Sequence, residues 1–368
     1  MSEKRLPKYQ QVKEEILSWL QEGKLEASSQ LPSEHEIAGM FGMSRQTVRQ
    51  ALGEMEKEGW LYRIQGKGTF VSDPVNQAVT RGSRELASIG MLTTHISDYI
   101  FPHIVRGAEA ELRGKGYSLL LSSTENDKNK ERDNLQMMLD QPLSGLIVEP
   151  TKSALGNPNL SYYLSLQLRQ IPFLMINARY PELNCPCVYV DDESGGFMAA
   201  EHLIELGHRH IAGFFKTDDL QGVNRLKGYM RAHENQGLSV MPDFVVLYST
   251  EEKTTKPFET ALELLRREDR PTAFVCYNDE LAVLLLEAIR QVGLSVPEQL
   301  SIVGFDDSFL ATATEVKLTT LTHPKLEMGV RAAEQLTAMI KHGPGWQAED
   351  VRYTPELIVR QSTQKMNS

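Results

Sequence analysis

The hydrophobic positions near the start of the chain predict three helices followed by a small hairpin. Apolar residues recur at three- and four-residue spacing over residues 6–24, as expected for an amphipathic helix. A second helix begins at the N-cap candidate Ser33, and a third begins at Ser44. Residues 60–71 then alternate around a turn that contains two glycines, as a hairpin does. This order of elements predicts a helix-turn-helix with a wing.

Farther along, short apolar runs alternate with helical patterns, which is typical of a parallel sheet covered by helices on both faces. The order of elements over residues 89–190 recurs over residues 207–305, so we expect two α/β lobes that face a cleft. Residues 73–86 lack apolar periodicity and are rich in polar residues, which indicates a linker. The predicted organisation is therefore a small winged domain at residues 1–72, this linker, and an α/β domain at residues 87–368.

The third predicted helix carries the residues that we expect to contact DNA. Val48, Leu52 and Met55 form its apolar face, whereas Arg45 and Arg49 lie elsewhere on its first turns. Arginine side chains can make bidentate contacts with base edges. A helix that exposes such residues near its N-terminus is typical of a recognition helix in the major groove.

The charge distribution is compatible with a nucleic-acid partner once the chain is divided. The whole chain has 39 basic and 49 acidic residues, which gives a formal net charge of −10. Residues 1–72 contain ten of each, so the remaining 29 basic and 39 acidic residues account for the whole excess. DNA binding requires a local basic face rather than a basic protein. The candidates for such a face are Lys8, Arg45, Arg49, Arg63 and Lys67.

The composition predicts a cytoplasmic protein without a membrane segment. No run approaches the ~18 apolar residues that span a bilayer, and the first residues lack the apolar core of a secretory signal. The chain has only three cysteines, as expected in a reducing compartment. Cys185 and Cys187 have no Cys or His pair nearby in the sequence, which favours incidental thiols over a redox or metal site. His202, His208 and His210 lie near a predicted helix end, where we interpret them as favourable partners of the helix dipole rather than metal ligands.

The sequence indicates no catalytic, metal or cofactor site. It contains no G-x-S-x-G element and no H-E-x-x-H element. The carboxylate pairs Asp191-Asp192 and Asp306-Asp307 are adjacent in sequence, so the side chains of each pair point apart. A body of the aminotransferase type would need a lysine for pyridoxal phosphate, in a pattern that the chain lacks. We therefore expect a ligand-binding regulator rather than an enzyme, with a transport-type sugar receptor as the alternative binding function.

Polar side chains follow most of the predicted strands of the α/β domain. Sugar hydroxyls require paired donors and acceptors, and the C–H faces of a sugar stack on aromatic rings. A cleft at the carboxyl ends of the strands that carries carboxylates, amides, cationic groups and aromatic rings therefore suits a sugar. The alternative is that each strand-end Asp or Asn only caps the helix that follows it. The candidate ligands are Asp98, Tyr99, Phe101, Glu149, Lys152, Asn177, Tyr180, Asp192, Arg225, Asn278, Asp306 and His323.

The first domain carries LPSE before the second helix, SRQTVRQAL in the third helix and GKGTFV in the wing. With these motifs, residues 6–72 resemble the winged helix-turn-helix of the GntR family of bacterial regulators. Glu34 cannot bind a phosphate, so it would accept from a cytosine amino group or orient an arginine. The resemblance implies DNA contacts from the positions of Ser33, Glu34, Arg45, Thr47, Arg49 and Gly66. Further candidates, for which a solvated surface position is the alternative, are Lys8, Tyr9, Gln46, Gln65 and Lys67.

The α/β part of the chain contains the stretches LTTHISDYIFP, YVDDESGGFMAAEHLIELGHRHIA, CYNDE and VPEQLSIVGFDDS. With these stretches, residues 88–365 resemble the periplasmic-binding-protein-like effector domain of LacI-type repressors. A GntR-type head on a LacI-type body is similar to the family of arabinose-responsive repressors in Gram-positive bacteria. This resemblance implies a homodimer that binds a near-palindromic operator and is released by L-arabinose. It also implies that the positions of Asp98, Tyr99, Asn177, Arg225, Asn278 and Asp306 face the sugar. The residues alone predict only a small polar ligand, so another sugar or a sugar phosphate is the alternative.

Overall fold

The computed structural model describes residues 7–21, 24–25, 29–57, 60–64, 68–71, 87–343, 346 and 348–366. The chain divides into two compact units, Met1–Leu86 and Ala87–Ser368. The predicted linker at residues 73–86 lies outside the described residues, and so do the wing candidates Gln65, Gly66 and Lys67.

The described part of the first unit contains three helices and a two-stranded sheet. In chain order these are α1 (Lys8–Gln21), α2 (Glu34–Phe41), α3 (Arg45–Lys57), β1 (Leu61–Ile64) and β2 (Gly68–Val71). Val12, Ile37 and Leu52 are buried in the core that the three helices share. β1 and β2 pair antiparallel, and Gln30 forms a further antiparallel bridge with Phe70. The predicted winged helix-turn-helix is confirmed.

The second unit alternates strands and helices along most of its length. Its helices are α4 (Phe101–Gly114), α5 (Lys128–Leu139), α6 (Leu160–Leu168), α7 (Asp192–Glu205), α8 (Leu220–Asn235), α9 (Lys256–Leu265), α10 (Asp279–Gln291), α11 (Leu310–Ala313) and α12 (Lys325–His342). Its strands are β3 (Ala87–Thr93), β4 (Tyr117–Ser123), β5 (Leu143–Val148), β6 (Phe173–Ile176), β7 (Cys187–Val190), β8 (Ile211–Lys216), β9 (Val245–Tyr248), β10 (Ala273–Cys276), β11 (Ser301–Asp306), β12 (Thr319–Thr322), β13 (Val351–Tyr353) and β14 (Leu357–Ile358). Within the described ranges, no helix is long and apolar enough to cross a membrane.

Two six-stranded sheets divide the second unit into two lobes. Lobe 1 has the strand order β13-β7-β6-β5-β3-β4, and every neighbouring pair is parallel. Lobe 2 has the order β14-β12-β11-β10-β8-β9, in which only β14 runs antiparallel to its neighbour. Every residue of β6 and of β10 is buried, as expected for strands between two layers of helices. The predicted α/β fold with parallel sheets is confirmed.

The chain crosses between the lobes after β7, after β12 and between β13 and β14. α12 follows a strand of lobe 2 but packs against α4 and β5 of lobe 1. A Cβ atom added to Gly107 on α4 would lie 2.1 Å from the carbonyl oxygen of Leu326, so the two helices approach closely only because this residue is glycine. The strand–helix pattern predicted the two lobes, whereas it did not predict this exchange of the C-terminal elements.

Candidate functional site

Helix α3 presents a polar face at the surface of the first unit. The helix begins after Ser44, whose Oγ accepts a hydrogen bond from the backbone N–H of Thr47 at 3.1 Å. Val48 on the inner face of the helix is buried, whereas Arg45 and Gln46 in its first turn are exposed. The exposed donors therefore lie at a helix N-terminus, where the macrodipole favours an anion such as a phosphate.

Glu34 holds two arginines on the same surface. Arg49 Nη2 and Nε donate to Glu34 Oε2 at 2.8 and 3.0 Å, and Arg63 Nη2 lies 3.5 Å from Oε1. The hydrogen bond from Arg49 lowers the pKa of Glu34. The Arg49 side chain is still 65% exposed, so the glutamate orients the guanidinium group without covering it. Of the two roles considered for Glu34, this geometry favours the orientation of an arginine.

The other described candidates for DNA contact differ in their surroundings. Lys8 is exposed in the first turn of α1, and Tyr9 is half-buried against the hydrophobic core. The Ser33 hydroxyl and backbone N–H each donate to Glu36 Oε2 at 2.8 Å, and the Glu36 backbone N–H donates to Ser33 Oγ at 3.3 Å, so Ser33 is the N-cap of α2 and forms a capping box with Glu36. Thr47 is half-buried, with its Oγ1 2.8 Å from Ser44 Oγ. Ser33 and Thr47 therefore stabilise helix N-termini on the surface that carries Arg49.

A cavity of about 420 Å³ lies between the two lobes of the second unit. It is at the carboxyl ends of both sheets, because Asn177 follows β6 and Asn278 follows β10. Its volume is within the range of small-molecule sites. The residues that line it include Thr94, Asp98, Tyr99, Phe101, Glu149 and Asn177 from lobe 1, and Lys216, Asp219, Arg225, Tyr248, Tyr277, Asn278 and Asp306 from lobe 2.

Arg225 is a buried cation on α8, with only 2% of the residue exposed. Its Nε donates to Asp192 Oδ1 at 2.8 Å, and its Nη1 donates to the carbonyl oxygen of Tyr277 at 2.5 Å. The guanidinium carbon lies 3.6 Å from the ring centre of Phe305. α7 and α8 approach closely here, since a Cβ atom on Gly196 would lie 2.1 Å from the Arg225 carbonyl oxygen. Arg225 is therefore preorganised before a ligand binds.

Asp306 is an acceptor on the cavity wall with an unused oxygen. Its Oδ1 lies 3.6 Å from Arg225 Nη2 and has no hydrogen-bond partner among the described residues. Asp306 has a φ of 93°, which is unusual for a residue with a side chain, and Lys325 Nζ donates to its carbonyl oxygen at 2.6 Å. A buried acceptor without a partner is costly, so this oxygen is suited to accept from a ligand hydroxyl. Burial raises the pKa of the nearby Asp192 to about 7, although Arg225 opposes the change.

Glu149 and Asn177 form a polar wall in lobe 1. Glu149 Oε2 accepts from the backbone N–H of Thr94 at 2.8 Å and from its hydroxyl at 2.7 Å. Glu149 Oε1 accepts from Asn177 Nδ2 at 2.7 Å. Burial raises the pKa of Glu149, and these hydrogen bonds oppose the rise. A carboxylate acceptor beside an amide donor suits a hydroxyl group, which both donates and accepts.

Side chains of lobe 1 contact lobe 2 beside the cavity. The Tyr99 hydroxyl donates to the carbonyl oxygen of Phe305 at 3.0 Å and accepts from the backbone N–H of Asp279 at 3.1 Å. Asn126 Nδ2 donates to Thr250 Oγ1 at 2.6 Å. The two lobes are therefore in direct polar contact at the edge of the cavity.

Comparison with known proteins matches each unit to a family of known fold. Residues 8–71 match the model of the bacterial regulatory proteins of the gntR family, and residues 200–363 match that of a periplasmic binding protein-like domain. The chain is 62% identical over 368 residues, 100% of both chains, to the arabinose metabolism transcriptional repressor of Geobacillus stearothermophilus. The chain belongs to the family of arabinose metabolism transcriptional repressors.

A second protein of this name, from Halalkalibacterium halodurans, is 45% identical over 366 residues, 98% of each chain. Among solved structures, a LacI family transcriptional regulator from Enterococcus faecium with bound ribose superposes with a TM-score of 0.65 at 26% identity. That match covers 76% of this chain and 100% of the other. The family consists of transcriptional repressors, so the prediction of a sugar-responsive regulator rather than an enzyme is confirmed.

Eight of the predicted effector ligands line the cavity of this repressor, namely Asp98, Tyr99, Phe101, Glu149, Asn177, Arg225, Asn278 and Asp306. Asn278 also caps α10, because its Oδ1 accepts from the backbone N–H of Leu281 at 2.9 Å. The capping role that was the alternative for strand-end residues thus coexists with a place on the wall. Direct contact of these side chains with a sugar stays a prediction. Four other candidates, Lys152, Tyr180, Asp192 and His323, do not line the cavity.

Tyr180 belongs instead to a buried network inside lobe 1. Its hydroxyl lies 2.6 Å from Glu131 Oε1 and 2.8 Å from the carbonyl oxygen of Thr151. The Tyr163 hydroxyl donates to the same Glu131 oxygen at 2.6 Å. Glu131 is fully buried, and a buried carboxylate needs such donors. Because Tyr180 follows a strand, we expected it to line the cavity. Instead its hydroxyl points into lobe 1, where it donates to the buried carboxylate of Glu131.

The other three residues act next to the wall rather than on it. Lys152 forms an ion pair with Glu251 of lobe 2. Asp192 holds Arg225, and His323 Nε2 lies 3.1 Å from Asn177 Oδ1. Each of them follows the end of a strand near the cavity, but the direction of each side chain depends on partners that are distant in sequence.

Lobe 2 supplies wall residues that are not among the predicted ligands. Lys216 Nζ lies 3.0 Å from Asp219 Oδ2, and the Tyr277 hydroxyl donates to the same oxygen at 2.9 Å. Tyr248 also lines the cavity. Lys216 ends β8, Tyr248 ends β9 and Tyr277 follows β10. The strand-end rule that selected the other candidates would have identified all of them.

The histidine and cysteine clusters of the sequence are part of the packed structure. His208 is buried, and its Nδ1 lies 2.9 Å from Thr272 Oγ1. Burial raises the pKa of Cys185 to about 12, so its thiol is unreactive at neutral pH. Over the part of the chain that the structure describes, no group of three His, Cys, Asp or Glu side chains could hold a metal ion.

Proposed function

We propose that the chain is a homodimeric cytoplasmic repressor that binds a near-palindromic operator and is released when L-arabinose occupies the cavity between its lobes. The observation that carries this proposal is the wall of the cavity. The buried cation Arg225 and the acceptors Asp306 and Glu149 lie together with the amides of Asn177 and Asn278. Sugar hydroxyls need this mixture of donors and acceptors.

The charges around the cavity favour a neutral sugar over a sugar phosphate. Each lysine or arginine that lines it is already paired with a carboxylate, at 3.0 Å for Lys216, 2.8 Å for Arg225 and 3.7 Å for Lys253. The acidic residues of the wall are Asp98, Glu149, Asp219, Glu280 and Asp306. A phosphate dianion would face these carboxylates or break an ion pair, and both are costly in a buried site. The names of the two similar repressors favour arabinose among neutral sugars.

Release from DNA requires that the sugar favour one arrangement of the lobes over another, because a ligand shifts an equilibrium only by its differential affinity. The contacts of Tyr99 and Asn126 with lobe 2 lie beside the cavity, where a bound sugar would add further contacts to both lobes. A two-fold symmetric protein matches a two-fold symmetric operator, which supports the dimer.

Titration calorimetry on the full chain tests the ligand, with L-arabinose and D-ribose 5-phosphate as probes. We expect L-arabinose to bind and the phosphate to bind at least tenfold more weakly. Tighter binding of the phosphate would contradict the proposal. Sedimentation equilibrium tests the dimer, for which we expect twice the chain mass of 41.5 kDa. A monomer at every concentration would contradict the symmetric mode of operator binding.

A further inference from the structure

His323 lies behind the cavity wall, on a segment that joins the two lobes. It follows β12 of lobe 2 and precedes α12, which packs on lobe 1. Only 4% of the residue is exposed, and it does not line the cavity. Its Nε2 lies 3.1 Å from Oδ1 of Asn177, which does line the cavity. His323 therefore contacts a wall residue without reaching the ligand.

The hydrogen bonds of Asn177 determine which way its amide faces. Its Nδ2 donates to Glu149 Oε1 at 2.7 Å. Rotating the amide by half a turn would place Oδ1 against the carboxylate, so that two acceptors would face each other. Oδ1 must therefore accept a hydrogen bond, and its donor is His323 Nε2. One hydrogen of the amide nitrogen is then left for a ligand, because that nitrogen carries two.

His323 must be the neutral tautomer that carries its hydrogen on Nε2. Burial lowers the pKa of His323 to about 4; Lys325 and Arg225 act in the same direction, and Asp306 opposes them. Its Nδ1 is buried and has no hydrogen-bond partner among the described residues. A hydrogen on Nδ1 would be buried without an acceptor and would also leave Nε2 as a second acceptor opposite Asn177 Oδ1, so the hydrogen belongs on Nε2.

We propose that His323 is a positioning residue that determines which sugar epimer the cavity accepts. By holding Asn177 Oδ1, it acts together with Glu149, which accepts from Nδ2, to keep the second amide hydrogen available next to the carboxylate on the cavity wall. A hydroxyl in the matching configuration satisfies both groups, whereas in an epimer these buried groups lose their partner. If the Asn177 amide could rotate, either its N–H group or its oxygen would face the same point of the cavity. The wall would then bind a sugar hydroxyl in either configuration. This inference rests on the proposed function, because it names what sets the selectivity of that site.

Calorimetry on the full chain and three variants tests this role. The probes are L-arabinose and its epimers L-ribose, L-lyxose and D-xylose, which differ at the second, third and fourth carbon. His323→Leu removes the donor to Asn177, and His323→Gln retains an N–H group. His208→Leu is the matched control, since His208 is another buried histidine (2% exposed) that does not line the cavity. We expect the preference for L-arabinose over its best-bound epimer to fall about tenfold in His323→Leu, to be largely restored in His323→Gln and to be unchanged in the control.

Several outcomes would overturn the role of His323. They are an unchanged preference in His323→Leu, an equal loss in His208→Leu, and a uniform loss of affinity for all four sugars, which indicates general damage to the site. If the unmodified chain binds none of the four sugars, the proposed function fails and the role of His323 falls with it. If the unmodified chain is selective and His323→Leu is equally selective, only the role of His323 is overturned.

Nitrogen-15 NMR of the imidazole rings reads the tautomer in the unmodified chain and does not depend on a variant that folds. We expect the neutral form with hydrogen on Nε2 at pH values well above the pKa of about 4. A hydrogen on Nδ1 alone would overturn the proposal, and so would a ring that is already charged at neutral pH.

Discussion

Arg225→Met leaves two buried carboxylates without their cation. Arg225 lies 2.8 Å from Asp192 and 3.6 Å from Asp306, and each of these three side chains is at most 5% exposed. Removing one partner of a buried ion pair costs about 3–5 kcal/mol. We therefore expect the free energy of unfolding of the second unit to decrease by an amount of this size in the variant. We also expect the variant to lose L-arabinose binding.

The cost for Asp192 has a ceiling, because a carboxyl group can take up a proton. Burial already raises the pKa of Asp192 from 3.8 to about 7 in the presence of Arg225. Holding a group of pKa 3.8 protonated at pH 7 costs about 3 pH units at ~1.36 kcal/mol each, or about 4 kcal/mol relative to the unfolded chain, and the unmodified chain already bears most of this cost because the pKa of Asp192 is about 7. The cost falls as the pH decreases toward 3.8, because the unfolded chain then binds the proton as well.

A double-mutant cycle separates the ion pair from general damage. We expect the double variant, Arg225→Met with Asp192→Asn, to lose less free energy of unfolding than the two single variants lose together. The difference should be about 1–3 kcal/mol. The assay is urea unfolding of the full chain, followed in the second unit, together with calorimetry using L-arabinose. Arg231→Met is the matched control on the same helix, since Arg231 is 44% exposed and pairs with Glu193, and it should cost less than ~1 kcal/mol. Additive losses would show that Arg225 and Asp192 are not coupled, and unchanged sugar binding by Arg225→Met would show that Arg225 does not support the ligand site.

Other measurements test the DNA recognition surface, the ion pair between the lobes and the burial of His323. Arg49→Ala should reduce specific operator affinity at least about tenfold in a gel shift and leave sugar affinity unchanged, since one bidentate contact contributes about 1–3 kcal/mol. Lys152→Ala should weaken L-arabinose binding by at most about fivefold, because it breaks a partly exposed ion pair between the lobes, whereas Lys130→Ala breaks a pair inside lobe 1 and should change nothing. Because of His323, the free energy of unfolding of the second unit should decrease by up to ~3 kcal/mol as the pH falls from 6.5 to about 4. Between these pH values, the histidine binds a proton in the unfolded chain but not in the folded one.

Each of these predictions has a contrary result. Unchanged operator binding by Arg49→Ala would refute the recognition surface. Equal effects of the two lysine substitutions would remove the link between lobe contact and sugar affinity. A pH profile of unfolding that is the same in His323→Gln as in the unmodified chain would refute the burial of a neutral histidine at this position.

The winged head and the two lobes could be predicted because their signals are local. The capping box at Ser33, the N-cap at Ser44 and the apolar face of α3 each depend on residues within a few positions of one another. The strand–helix alternation likewise needs only short stretches of sequence. The ion pair between Glu34 and Arg49 follows from the fold, and the sequence could offer it only as one of two roles for Glu34.

The direction of individual side chains could not be predicted from strand ends. Tyr180 and Tyr277 both lie just beyond a strand, yet Tyr277 lines the cavity and Tyr180 bonds to Glu131. The difference depends on a buried carboxylate that is 49 residues away from Tyr180. The position of His323 is set by α12, which follows it and packs on lobe 1. This packing requires the close approach of α12 to α4 at Gly107. Such long-range packing leaves no periodic signal in the sequence.

Release of the chain from its operator by L-arabinose is the step on which the proposed function depends. The direct measurement is the fluorescence anisotropy of a labelled duplex, selected from a random library by the full chain itself and titrated with sugar at fixed ionic strength. We expect L-arabinose to lower the affinity for this duplex at least about tenfold, a coupling free energy of ~1.4 kcal/mol or more, while D-xylose has a much smaller effect. An operator affinity that L-arabinose leaves unchanged or increases would contradict the proposed release.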